Sequence, residues 1–134
     1  MRGEPITRVN HLTPQSLLDR LSRASGKRFY AAYRRGTLEV ELYAPRGHDP
    51  QTPHRKDEVY VIVSGSGEFI GGENRFRFGP GDLLFVAAGV THRFENFTDD
   101  LAVWVLFYGP DGGEQVAEPP RPRVSFEPEI GPDE

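Results

Sequence analysis

Between Thr37 and Tyr108 apolar side chains recur at every second position in short runs, and glycines cut each run off. A period of two puts one set of side chains on each face of a pleated strand, so this pattern calls for a half-buried β-sheet rather than helices. Leu38, Val40, Leu42 and Ala44 alternate with Glu39, Glu41 and Tyr43. Glu58 to Val63 is β-branched and aromatic and stops at Ser64-Gly65-Ser66-Gly67. Phe69-Ile70 runs to a Gly71-Gly72-Glu73-Asn74 turn, after which Phe76 and Phe78 alternate with Arg75 and Arg77, expected on a solvated face. Gly79-Pro80-Gly81-Asp82 marks another tight turn. Leu83 to Val86 and Leu101 to Tyr108 are apolar at both parities, so these two strands are expected to be covered on both sides. Close-spaced short strands with glycine turns indicate a sandwich or a small barrel.

One helix precedes the strands. Thr13 can cap it, Pro14 suits its first position, and Leu17, Leu18, Leu21 and Ala24 recur at helical spacing before a Ser25-Gly26 stop. About three turns long and amphipathic, it is expected to lie against the body of the domain. From Gly109 onward the chain carries seven acidic residues against two basic ones and six of its twelve prolines. Such a composition favours extended, irregular chain. Residues 1–35 are thus read as an N-terminal helix and strand, 36–108 as a barrel, and 109–134 as an acidic, proline-rich tail, one domain in all.

The 134-residue chain has no cysteine, which excludes a disulfide scaffold, a thiolate zinc site and a cysteine nucleophile. Sixteen basic residues against twenty acidic ones, with no basic patch, argue against nucleic-acid binding. No apolar run reaches membrane-spanning length, and Met1 to Pro5 lacks the apolar core of a signal peptide. A soluble, cytoplasmic protein is expected.

Any metal chemistry therefore falls to histidine and carboxylate, and the chain has only His11, His48, His54 and His92. His54 precedes Glu58 by four residues at the start of a strong strand. On a straight strand those positions lie about 13 Å apart, whereas metal–ligand bonds are about 2 Å. The polar Arg55-Lys56-Asp57 stretch must bend if both side chains are to meet at one ion; otherwise His54 sits on a surface loop. Gly89 ends a buried strand, and His92 opens the next with Phe94 and Asn96 at its parity. It can point into a cavity, or be a hydrogen-bonded core histidine.

Together these segments resemble the cupin superfamily, in particular its small single-domain bacterial members. Gly81, Gly89, His92 and Asn96 stand in register with the second cupin motif, with Ala87 in place of its proline. His54, Glu58 and Gly65 match the second histidine, the glutamate and the glycine of the first motif, and Thr52 stands where that motif has its first histidine. The resemblance spans residues 36–108. It implies an all-β double-stranded β-helix, a jelly-roll barrel whose mouth holds one divalent metal ion bound by His54, Glu58 and His92. Two histidines and a carboxylate suit iron(II) and also accept manganese, nickel, copper or zinc. The fourth position is open to Thr52, Gln51, His48 or water, with Gln51 and water ranked above the loop residue His48.

Tyr60 and Ile62 share the parity of Glu58, and Phe94 that of His92, so an aromatic-walled pocket for a small organic molecule is expected, with Tyr60, Phe94 and Gln51 as its contacts. A metal-dependent dioxygenase or isomerase follows, with Glu58 doubling as proton acceptor. The alternative is a non-catalytic small-molecule-binding cupin module. Small cupins commonly pair, and Phe29, Tyr30 and Tyr33 look too apolar for an open edge, so a homodimer is expected. Trp104 reads as core or dimer contact.

Overall fold

The computed structural model describes residues 8–23 and 26–115. Its elements run α1 (Pro14–Ser22), β1 (Phe29–Arg35), β2 (Leu38–Tyr43), β3 (Asp57–Ser64), β4 (Gly67–Gly71), β5 (Asn74–Phe78), β6 (Leu83–Val86), β7 (His92–Glu95) and β8 (Ala102–Tyr108). The strands form two antiparallel sheets, one ordered β1-β2-β8-β3-β6 and the other β5-β4-β7. They face each other as a jelly-roll barrel, as expected. The turn between β1 and β2 falls at Gly36-Thr37, so the expected division between residues 35 and 36 lies inside one hairpin of the larger sheet.

The space between the sheets is filled by Tyr60, Ile62, Phe69, Phe78, Phe94, Leu101, Val103 and Val105, among others. Phe94 is the hub, meeting Phe69, Tyr60 and Phe78 edge-on with ring centroids 4.9, 5.0 and 5.2 Å away. Edge-to-face pairing adds to the apolar burial of each ring. Gly65, at φ +89°, makes the β3–β4 turn where a side chain would meet the Leu101 backbone at 2.6 Å. That close approach gives the motif glycine a packing reason.

Helix α1 begins as the sequence predicts: the Thr13 side chain accepts the Ser16 amide at 3.2 Å, and Pro14 occupies the first turn. Ala24 and Ser25 lie outside the described residues. Leu17 and Leu21 pack on Leu42 and Ala44, with Tyr30 and Trp104 at the margin, so the helix covers the outer face of the larger sheet. Trp104 therefore packs under the helix. The inner face of β2 is left to Glu39, Glu41 and Tyr43.

Two expectations are corrected. Strand β6 is an edge strand, and its outward residues Leu83 and Phe85 are 63% and 56% exposed, so the apolar run is covered on one side only. Asn96 leaves the pleat with φ 50° and donates its side-chain amide to Glu68 at 2.9 Å, so it does not continue the face of His92 and Phe94. Residues 109–115 fold back on the start of β3: Gly112 donates to the Arg55 carbonyl at 2.7 Å and Glu114 to Asp57 at 2.9 Å. The rest of the expected tail, 116–134, lies outside the described residues.

Candidate metal centre

His54 sits just before β3, and a bend at Arg55-Lys56 turns the chain so that its imidazole comes back to Glu58, with Nε2 3.7 Å from Glu58 Oε1. The bend is held from both sides. The Gly89 amide donates to the His54 carbonyl at 2.8 Å, and the Ala88 amide to buried Asp57 at 3.0 Å. The β6–β7 loop is thus zipped to the residues before β3, and the two halves of the sequence pattern meet.

His92 opens β7 with its Nε2 3.2 Å from Glu58 Oε1. Its Nδ1 lies 2.8 Å from the Val90 carbonyl, which can only accept, so Nδ1 carries the hydrogen, and whenever the ring is neutral Nε2 presents its lone pair to Glu58. One ligand atom from each of His54, Glu58 and His92 falls within 4.8 Å of the other two. Both carboxylate oxygens of Glu58, and His92 Nε2, are buried without a hydrogen-bond partner. Polar atoms are seldom left so, and a cation between them is what these donors fit. Burial pulls the His92 pKa down, but the neighbouring Glu58 carboxylate and Val90 carbonyl outweigh it and hold the group above its ordinary value.

The cupin domain model matches residues 39–108 of this chain. The chain belongs to the cupin family. It is 38% identical over 80 residues to an uncharacterised protein of Streptomyces coelicolor, covering 58% of this chain and 76% of that protein. Among solved structures, a cupin-2 domain protein of Shewanella frigidimarina shares the fold with a TM-score of 0.54 and 14% identity, over 69% of this chain and 91% of that one. A cupin 2 conserved barrel protein of Salinispora arenicola aligns at 0.53 and 19% identity, over 81% and 89%. KdgF from a Halomonas species aligns at 0.54 and 18% identity, over 60% and 76%.

In this cupin the cluster opens into a cavity of about 530 Å³, whose walls include Glu41, Tyr43, Gln51, Val105 and Phe107, with Lys27 and Phe29 at the rim. Of the expected contacts, Gln51 lines the cavity, whereas Tyr60 and Phe94 are fully buried beneath the cluster. Thr52 and His48 are both exposed. His11 is exposed too and is not part of the His54, Glu58 and His92 group.

Three residues carry the site without having stood out in the sequence. Buried Asp49 accepts the Tyr43 hydroxyl, the Gln51 side-chain amide at 2.7 Å and the Phe94 backbone amide at 2.9 Å. Burial and Asp49 together push the Tyr43 phenol far above its usual range. Glu41 projects into the cavity from β2, and burial, then the nearby Glu39 and Glu58 carboxylates, raise its pKa above the ordinary value. The only available signal was the polar parity of β2, which reads equally well as a solvent face. Among the described residues, no helix is long and apolar enough to cross a membrane.

Proposed function

We propose that this cupin holds one divalent metal ion between His54, Glu58 and His92 and acts on a small organic molecule that enters the cavity above them, in the manner of a dioxygenase or an isomerase. The observation that carries this is the set of buried, unpartnered atoms, Glu58 Oε1 and Oε2 with His92 Nε2, next to an open cavity that Glu58 and His54 line. Iron, manganese, nickel, copper and zinc all accept such a donor set. When bound, the ion supplies Lewis acidity and open positions for a substrate oxygen.

The chain's own residues set up the rest. The Val90 carbonyl keeps the His92 lone pair aimed inward. Val105 and Phe107 give the cavity apolar walls that limit water around a ligand. Glu58 remains the proposed proton acceptor, and Glu41 is a second carboxyl on the cavity wall able to give or take a proton at a ligand atom. Its raised pKa moves it towards the range where general acid–base groups work.

The test is metal analysis of protein purified without chelators, beside His54→Ala and His92→Ala. Loss of metal in both variants is expected; unchanged metal content would overturn the reading. A second reading, a non-catalytic binding module, is favoured by Thr52, an exposed hydroxyl on the cavity wall that stands in place of the family's first histidine and is a weaker metal donor. It requires small molecules to raise the melting temperature of metal-free protein as much as of loaded protein. We also propose a homodimer. Phe29 is 46% exposed on edge strand β1, although Tyr30 packs under α1, and Leu83 and Phe85 add apolar surface on the opposite edge.

A further inference from the structure

We infer that Gln51 is the fourth metal donor of this centre, through its side-chain carbonyl oxygen, and that Asp49 is the residue that fixes the amide in the donating orientation. The inference rests on His54, Glu58 and His92 holding the ion, and adds a fourth donor where Thr52 stands in place of the family's first histidine.

The first support is spacing. Donors bound to one ion at about 2.1 Å sit roughly 3.0 Å apart at right angles and roughly 3.4 Å apart at tetrahedral angles. Gln51 Oε1 lies 3.2 Å from His54 Nε2, and His92 Nε2 lies 3.2 Å from Glu58 Oε1. Both fall within that spacing.

The second support is the hydrogen-bond inventory of the amide. A carboxylate accepts and cannot donate. Asp49 Oδ2 receives Gln51 Nε2 at 2.7 Å, so the amide nitrogen must face Asp49 and the oxygen must face the cavity. The Tyr60 hydroxyl donates to that oxygen at 2.9 Å, which uses one of its two lone pairs. The other is directed to the His54 side, where it meets the ring Nε2–H or a cation that replaces that proton.

The third support is what anchors Asp49. It is 7% exposed and bound to Tyr43 on β2 and to the Phe94 amide on β7, two residues from His92. The carboxylate that orients Gln51 is therefore registered to the strand that carries the His92 ligand. A loop amide held in this way is preorganised as a donor.

Cobalt(II) alone is the probe, titrated into metal-free full-length protein while its visible ligand-field band is followed. Gln51→Ala should weaken cobalt binding about 10- to 100-fold and change the band intensity, which reports coordination number. Asp49→Asn should weaken it similarly without touching the ion, because asparagine gives one acceptor oxygen for three donors and lets the Gln51 amide turn. The double variant Asp49→Asn with Gln51→Glu should recover affinity, since a carboxylate at 51 needs a donor at 49. Circular dichroism on each variant separates loss of fold from loss of donor, and if Gln51→Ala does not fold, the double variant decides alone. Wild-type affinity and an unchanged band in folded Gln51→Ala would overturn the inference, as would a folded double variant no tighter than Asp49→Asn. Failure of the wild-type protein to bind cobalt would instead remove the three-residue centre, and this inference with it.

Discussion

Replacing Glu58 by glutamine should stabilise the metal-free protein and destabilise the metal-loaded one. In the native chain an acceptor-only carboxylate faces the His92 Nε2 lone pair at 3.2 Å, and neither Glu58 oxygen has a hydrogen-bond partner. Glutamine has nearly the same shape, removes the charge, and can donate its amide to His92 Nε2. An unsatisfied buried polar group costs about 1–3 kcal/mol, so relief of about 2 kcal/mol is a fair figure for the change. For a domain of this size that is about 8 °C in melting temperature. Metal at a thousand times its dissociation constant adds about 4 kcal/mol to the native protein, and the variant forfeits most of it, so the order of stability inverts. The pH dependence has a definite sign. Because the folded-state pKa of His92 is raised, its ion pair with Glu58 contributes stability that is fully present below the unfolded value of about 6.5. That contribution is lost as pH rises through the folded value. The advantage of Glu58→Gln should therefore be largest near pH 8 and shrink towards pH 6. Thermal melts in chelator and in excess metal, at both pH values, read all four corners. A variant less stable than wild type in chelator at pH 8 would refute the reasoning, since Glu58 would then be satisfied without an ion.

Three further outcomes are expected. Glu41→Gln should raise the metal-free melting temperature at pH 7, because a carboxyl with a raised pKa loses stability as pH climbs above the ordinary carboxylate range. The gain should be small because the cavity is open to solvent, and should vanish near pH 4; a gain that persists there would point to packing instead. Metal uptake at pH 6.5 should release up to about one proton, read by calorimetry in buffers of differing ionisation enthalpy, and release should fall as pH rises through the raised His92 value, whereas pH-independent release would contradict a titrating His92. Leu83→Glu with Phe85→Glu should convert a dimer to a monomer by light scattering with cobalt affinity intact; a wild-type monomer at micromolar concentration would end the dimer proposal.

Strand boundaries and turns were readable because alternation and glycine placement are local signals, and the helix start was readable from Thr13 and Pro14. What alternation does not encode is which face is covered. Leu83 and Phe85 look like core until β6 proves to be an edge strand, where the outer face has no neighbouring layer. On β2 the ambiguity runs the other way. Leu42 and Ala44 are the apolar parity, but α1 takes that face from outside, and Glu41 and Tyr43 turn into the cavity. The spacing of His54, Glu58 and His92 was legible since bend, strand and turn follow from adjacent residues. Asp49 was not, because its meaning lies in partners on β2 and β7, the Phe94 amide being forty-five positions away.

The centre also has a mechanical place in the barrel. Glu58 lies on β3 of the larger sheet, with His54 at its entry, and His92 lies on β7 of the smaller one. An ion held by all three ties the two sheets together across the open end. At the same level Asp49 joins Tyr43 of the larger sheet to Phe94 of the smaller through hydrogen bonds. The aromatic cluster around Phe94 closes the barrel just below. Sheet packing at this end therefore rests on one polar layer and one apolar layer, and if the proposed ion binds, metal affinity would become part of the free energy that keeps the sheets in register. That coupling explains how a site can leave three buried polar atoms unpartnered in the protein alone. The apolar layer carries the fold, and a cation bound as proposed would give the polar layer the partners it lacks.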